Sequence, residues 1–170
     1  NRAAGNIDLN FTDEYLAAIR ASGAQIVFRL GESIEHTKTK RFVHPPRDFA
    51  KWTQICLGII RHYNEGWANG FHHNIRYWEI WNEPGYDYTG GLGYLPPSAP
   101  NSWWNVNPSP CDYKLRAPIF HYIRLLRISW EIIKTLDPDA YVVVSGTGYP
   151  SFLDAILRNT DNPVDGSVTA

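Results

Sequence analysis

Methionine is absent from the 170 residues, and cysteine occurs twice, at Cys56 and Cys111. Two cysteines cannot build the disulfide framework on which small secreted domains rely, and Cys56 falls on the apolar side of a predicted helix, where a buried free thiol is common. A chain that opens on Asn1 and has no methionine at all is expected to be a segment of something longer. An excess of either charge is also missing. The 16 Lys and Arg stand against 17 Asp and Glu, for a net charge of −1, so there is no basic surface to meet nucleic acid or anionic lipid. No apolar run approaches the ~20 residues of a membrane span, and no charged-then-apolar leader opens the chain. The expected partner is neutral, with no nucleic acid and no membrane.

The sequence is rich in aromatic residues, with 7 Trp, 10 Tyr and 7 Phe. A hydrophobic content of 44% with 19% charged residues supports one globular domain over residues 1–170. Tyr86, Tyr88, Tyr94, Trp103 and Trp104 crowd into a stretch of Gly, Pro, Ser and Asn from Gly85 to Leu115. Connections of that length are functional or disordered, and the aromatics argue against disorder.

Periodicity divides the rest into alternating elements. Thr12, followed by Asp13 and Glu14, is a reasonable helix cap, with Leu16 and Ile19 as the apolar side and Gly23 as the stop. The cap reading is preferred over glycosylation of the Asn10-Phe11-Thr12 triplet. Gln25 to Leu30 is a β-branched and aromatic run, expected of a strand covered on both faces. Asp48 caps a second helix, in which Phe49, Trp52, Ile55, Cys56, Ile59, Ile60 and Tyr63 recur by threes and fours. Tyr77 to Trp81 reads as a strand that ends at Asn82-Glu83-Pro84, because proline cannot continue a central ladder. A helix from about Ala117 to Leu136 follows, with Ile123, Leu126, Trp130 and Ile133 on one side, and Asp137-Pro138 stops it. Tyr141 to Ser145 is a third strand, Phe152 to Leu157 a further helix, and an apolar hint near Val168 could begin another strand.

Strands and helices in alternation imply an α/β fold with a parallel sheet, either doubly wound or part of a (β/α)8 barrel. A nucleotide-binding doubly wound sheet should carry a Gly-x-Gly-x-x-Gly or P-loop turn, and neither the Gly31 nor the Gly146 turn matches. The barrel reading gains from Asn82 and Glu83, since barrel enzymes collect catalytic residues at strand C-termini.

Tyr77-Trp78-Glu79-Ile80-Trp81-Asn82-Glu83-Pro84-Gly85 resembles the acid/base strand, the fourth, of the large clan of retaining glycosidases built on (β/α)8 barrels. Within that clan it looks most like family 39, the β-xylosidases and α-L-iduronidases. Phe28-Arg29-Leu30-Gly31 is similar to the third strand and Val142-Val143-Val144-Ser145-Gly146 to the fifth, so the resemblance covers nearly the whole chain as strands three to five of the barrel. It implies hydrolysis of O-glycosidic bonds in an oligosaccharide or glycoside by double displacement, without a cofactor. Glu83 would be the general acid/base and Asn82 the partner of the sugar 2-hydroxyl. A pocket walled by Trp81 would raise the proton affinity of Glu83. The nucleophile, on the family's seventh strand, lies outside this chain, and the family favours a secreted or periplasmic setting.

Glu79 shares the strand parity of Glu83, and a lone acid inside a barrel is costly. It is expected to pair with Arg29 of the neighbouring strand near the floor of the site. Trp103 and Trp104 could stack on sugar rings. His36, His44, His72 and His73 fall in different loops without ligand spacing, so no metal is expected. The main alternative is a non-catalytic carbohydrate-binding protein derived from the same barrel. Other glycosidases of the clan, such as the cellulase and mannanase group, come next.

Overall fold

The computed structural model describes residues 8–31, 48–82, 118–146, 150–162 and 168–169. Three parallel strands form the central sheet in chain order: β1 (Val27–Leu30), β2 (Tyr77–Ile80) and β3 (Tyr141–Val144). The register pairs Val27 with Tyr77 and Tyr141, and Arg29 with Glu79 and Val143. Helix α1 (Asn10–Ala21) precedes β1, α2 (Phe49–Glu65) joins β1 to β2, α3 (Pro118–Leu136) joins β2 to β3, and α4 (Pro150–Arg158) follows β3. The alternation read from the sequence is therefore present.

Local chemistry explains most of the element boundaries. Asp48 is extended and accepts the Lys51 amide at 2.9 Å, which caps α2 as expected. Gly66, at φ 74°, closes α2 in the left-handed conformation, and the Trp67 amide reaches back to the Arg61 carbonyl at 3.1 Å. Helix α4 begins two residues before the expected Phe152, with Pro150 in its first turn, where the missing amide costs nothing.

Three expectations change. Thr12 does not cap α1: the helix starts at Asn10 after Leu9, which makes no side-chain cap bond. The Asp8 carboxylate takes the Asn10 amide at 3.3 Å, and Thr12 lies within the first turn of the helix instead of ahead of it. On α3 Ile123 and Ile133 are buried as expected, but Tyr122, Leu125 and Ser129 are buried with them and Trp130 is 51% exposed, so the buried side is offset. The offset arises because buried polar residues on this helix have partners, as where the Trp52 indole donates to Ser129 Oγ at 3.1 Å. Finally, Val168–Thr169 (β5) does not extend the sheet but pairs antiparallel with Thr160–Asp161 (β4). Asp161 anchors that hairpin to α3 by accepting both Arg124 and Arg127.

The core lies between the sheet and its helices. Leu30, Trp78 and Ile80 from one sheet face meet Trp52, Cys56, Ile60 and Tyr63 of α2 and Tyr122, Leu125 and Ile133 of α3. Helices α2 and α3 pack against each other on that face. On the opposite face, Val27 is 61% and Tyr141 55% exposed. Cys56 is a buried free thiol, as the helix pattern implied, and burial pushes its pKa up. No helix among the described residues is long and apolar enough to cross a membrane.

Candidate active site

The C-terminal ends of the three strands converge at Gly31, Trp81-Asn82 and Ser145. Trp81 leaves the sheet with its amide bonded to the Leu30 carbonyl at 2.7 Å and its backbone at φ 67°. That left-handed conformation is rare for a bulky side chain and costs on the order of 1–3 kcal/mol, so the surroundings have to enforce it. They do so from two sides. The Trp52 ring packs on the Trp81 ring with centroids 5.6 Å apart, and Gly31, at φ 143°, sits so close that a Cβ there would lie 2.9 Å from Trp81 Cα. Trp81 is buried and Asn82 partly so.

Behind this turn, Tyr122 ties the strand ends together. Its hydroxyl donates to the Ile80 carbonyl at 3.0 Å and accepts the Ser145 amide at 3.1 Å, with Ser145 Oγ 3.2 Å away. Because the tyrosyl proton goes to Ile80, the Ser145 hydroxyl acts as donor in the third contact. Burial pushes the Tyr122 pKa up to about 12, which keeps that proton in place at neutral pH.

On the open face of the sheet, Arg29 Nε donates to Glu79 Oε2 at 2.7 Å between registered positions of β1 and β2. The pair expected between these strands is present. It is not fully buried, however: the Arg29 side chain is 38% and the Glu79 side chain 18% exposed, since no layer covers that face among the described residues. The left-handed turn at Trp81 also interrupts the alternation that extended the parity of Glu79 to Glu83. Glu83, Trp103 and Trp104 lie outside the described residues, as do His36 and His44. The other two histidines are apart from this end: His72 Nδ1 is 3.3 Å from the Asn64 carbonyl, and His73 stacks on Phe71 with centroids 4.7 Å apart. Among the described residues no group of three or more His, Cys, Asp or Glu side chains could hold a metal ion.

No protein-family model and no curated protein matches the chain. Among solved structures it is similar to a glucosidase from Croceicoccus marinus. The TM-score is 0.61 over 88% of this chain, at 21% sequence identity. The chain spans 26% of that glucosidase. At this identity the likeness is one of fold: an α/β arrangement with a parallel sheet, shared with part of the glucosidase.

Of the residues singled out from the sequence, Trp81 and Asn82 follow the end of β2 and Arg29 pairs with Glu79 as expected, while the residues packed around Trp81 were not singled out for the site. Trp52 was legible only as one member of an apolar helix stripe, and Gly31 as a turn glycine. Tyr122 gave no signal, because a tyrosine in an apolar helix reads as ordinary core. Ser145 was visible as a polar residue ending a strand beside Gly146.

Proposed function

We propose that the chain is the central part of the catalytic (β/α)8 barrel of a retaining glycoside hydrolase, with Glu83 as general acid/base. The observation that carries this reading is the strained turn at Trp81, which ends β2 at the C-terminal side of a parallel sheet, where barrel enzymes hold their catalytic groups, and which precedes Asn82-Glu83-Pro84 in the sequence. Strains of this kind cluster at functional sites. Sequential strand order with α2 and α3 on one face supports a barrel over a doubly wound sheet, whose order reverses at a switch point. Fold likeness to a glucosidase supports the same class.

In this reading Glu83 protonates the departing glycosidic oxygen and then, as carboxylate, takes a proton from the water that hydrolyses the glycosyl-enzyme. Asn82 bonds the sugar 2-hydroxyl, an interaction that strengthens in the transition state. The Arg29–Glu79 pair forms the charged floor below them and takes no part in proton transfer. Trp103 and Trp104 offer stacking surfaces to the sugar. The nucleophile, needed ~5 Å from the acid/base in a retaining enzyme, comes from elsewhere in the full-length protein. Substrates of the β-xyloside and glucoside type are the first to test.

Glu83→Gln in the full-length protein is expected to lower kcat/KM for glycosides with poor leaving groups by roughly 10²–10⁴-fold. Activated aryl glycosides, which need no protonation, should be cleaved in the first step at nearly the parent rate. An equal loss for both substrate types would refute general acid catalysis by Glu83. The second reading, a non-catalytic carbohydrate-binding protein, predicts glycan binding with no turnover of either type in the unaltered protein.

A further inference from the structure

At the other end of the sheet, below the N-terminal ends of β1 and β2, lies a cavity of about 260 Å³ lined by Arg20, Gln25, His73, Asn74 and Arg76, among others. It is remote from Trp81 along the strands and belongs to no part of the proposed active site. The Arg20 guanidinium has no hydrogen-bond or ion-pair partner among the described residues. Arg76 donates to a backbone carbonyl, that of Asp139, at 2.8 Å, and lies 5.8 Å over the Tyr141 ring. Two cations thus share one small cavity without a carboxylate between them.

His73 adds a third nitrogen base. Its Nε2 is buried without a hydrogen-bond partner, and its ring packs beside those of Phe71 and Tyr63, with centroids 4.7 and 6.2 Å away. Burial lowers its pKa from 6.5, Arg20 and His62 lower it further, and Asp13 opposes them. The described lining residues thus include two cations and no carboxylate, beside an imidazole whose protonation an arriving anion would favour.

We propose that this cavity binds a small tetrahedral oxyanion, phosphate or sulfate, free or as the ester group of a larger molecule, between Arg20 and Arg76. Guanidinium forks match such oxygens in pairs, and a cavity of this size is below the range typical of drug-sized ligands. Gln25 and Asn74 supply further amide donors on the lining. Anion binding and protonation of His73 favour each other, so affinity rises as pH falls.

The test is calorimetric titration of the protein with inorganic phosphate, sulfate and glucose 6-phosphate at constant ionic strength set by chloride. Saturable binding is expected, weakened about tenfold or more in Arg20→Gln and in Arg76→Gln. Tighter binding of the sugar phosphate assigns the site to an ester, and equal affinities assign it to the free ion. Sulfate keeps its charge between about pH 5.5 and about pH 8, so its affinity should rise towards the lower value through His73. Should an arginine variant fail to fold, the His73 ring resonances of the unaltered protein provide a second readout, since sulfate should raise the pH at which they titrate. Absence of saturation beyond chloride, retention of affinity within about twofold in both arginine variants, or an unmoved His73 titration overturns the proposal.

Discussion

Trp81 occupies a conformation that costs free energy, and the residues around it show how that cost is met. Gly31 is needed twice over, for its own φ of 143° and for the space its missing side chain leaves beside Trp81 Cα. Gly31→Ala is expected to destabilise the fold by about 1–3 kcal/mol, seen as a lower urea midpoint at unchanged slope. Tyr122→Phe removes one hydroxyl and leaves a buried carbonyl and a buried amide without their partner. A loss of about 1–3 kcal/mol is expected, with faster amide exchange at Ser145 as the local readout. At this scale the sequence was legible in part. Trp-Asn-Glu-Pro marks a strand end by chemistry, but nothing in it reveals the left-handed turn, because that conformation is imposed by Gly31 and Trp52 from distant parts of the chain.

The seam between α1 and α2 is built from polar groups set among rings. Asp13 accepts the Tyr63 hydroxyl at 2.8 Å and faces His62 Nε2 at 3.1 Å, while Phe71 and His73 stack beside Tyr63. Burial is the main reason His73 has a pKa below 6.5 in the folded chain. Below pH 6.5 the unfolded chain therefore binds a proton that the folded chain resists, and stability rises with pH through that window. In buffer free of phosphate and sulfate, the His73 contribution should be complete above pH 6.5 and decline as pH falls towards the lowered folded value. Urea midpoints measured across this range should flatten in His73→Gln. Element identity was well read where one signal dominated, as with the Asp48 cap and the three-and-four spacing of α2. It was misread where neighbouring groups decided: α1 starts at Asn10, ahead of Thr12, with Asp8 accepting the Asn10 amide, and Ser129 is buried where Trp52 donates to it.

For the whole molecule, the decisive property is that, among the described residues, helices cover the sheet on one face. Parallel sheets are normally buried on both faces, yet Val27 and Tyr141 stand more than half exposed opposite the helices, and Trp130 on α3 and Leu157 on α4 are exposed as well. The parallel sheet followed from alternation of the elements, which left its strand order open between a doubly wound sheet and a barrel. The final strand pair did not, since two residues near Val168 carry too little pattern to show whether they join the sheet or turn back on Thr160–Asp161. Exposed apolar surface of this kind binds other apolar surface. The chain by itself is expected to bind an apolar fluorescent dye and to associate with rising concentration in sedimentation velocity. Combining Val27→Thr with Leu157→Glu should reduce both effects clearly. Each substitution alone should stay within about 0.5 kcal/mol of the parent in stability, because these side chains have little burial to lose. Unchanged dye binding in the double variant would show that these exposed residues do not form the adhesive surface.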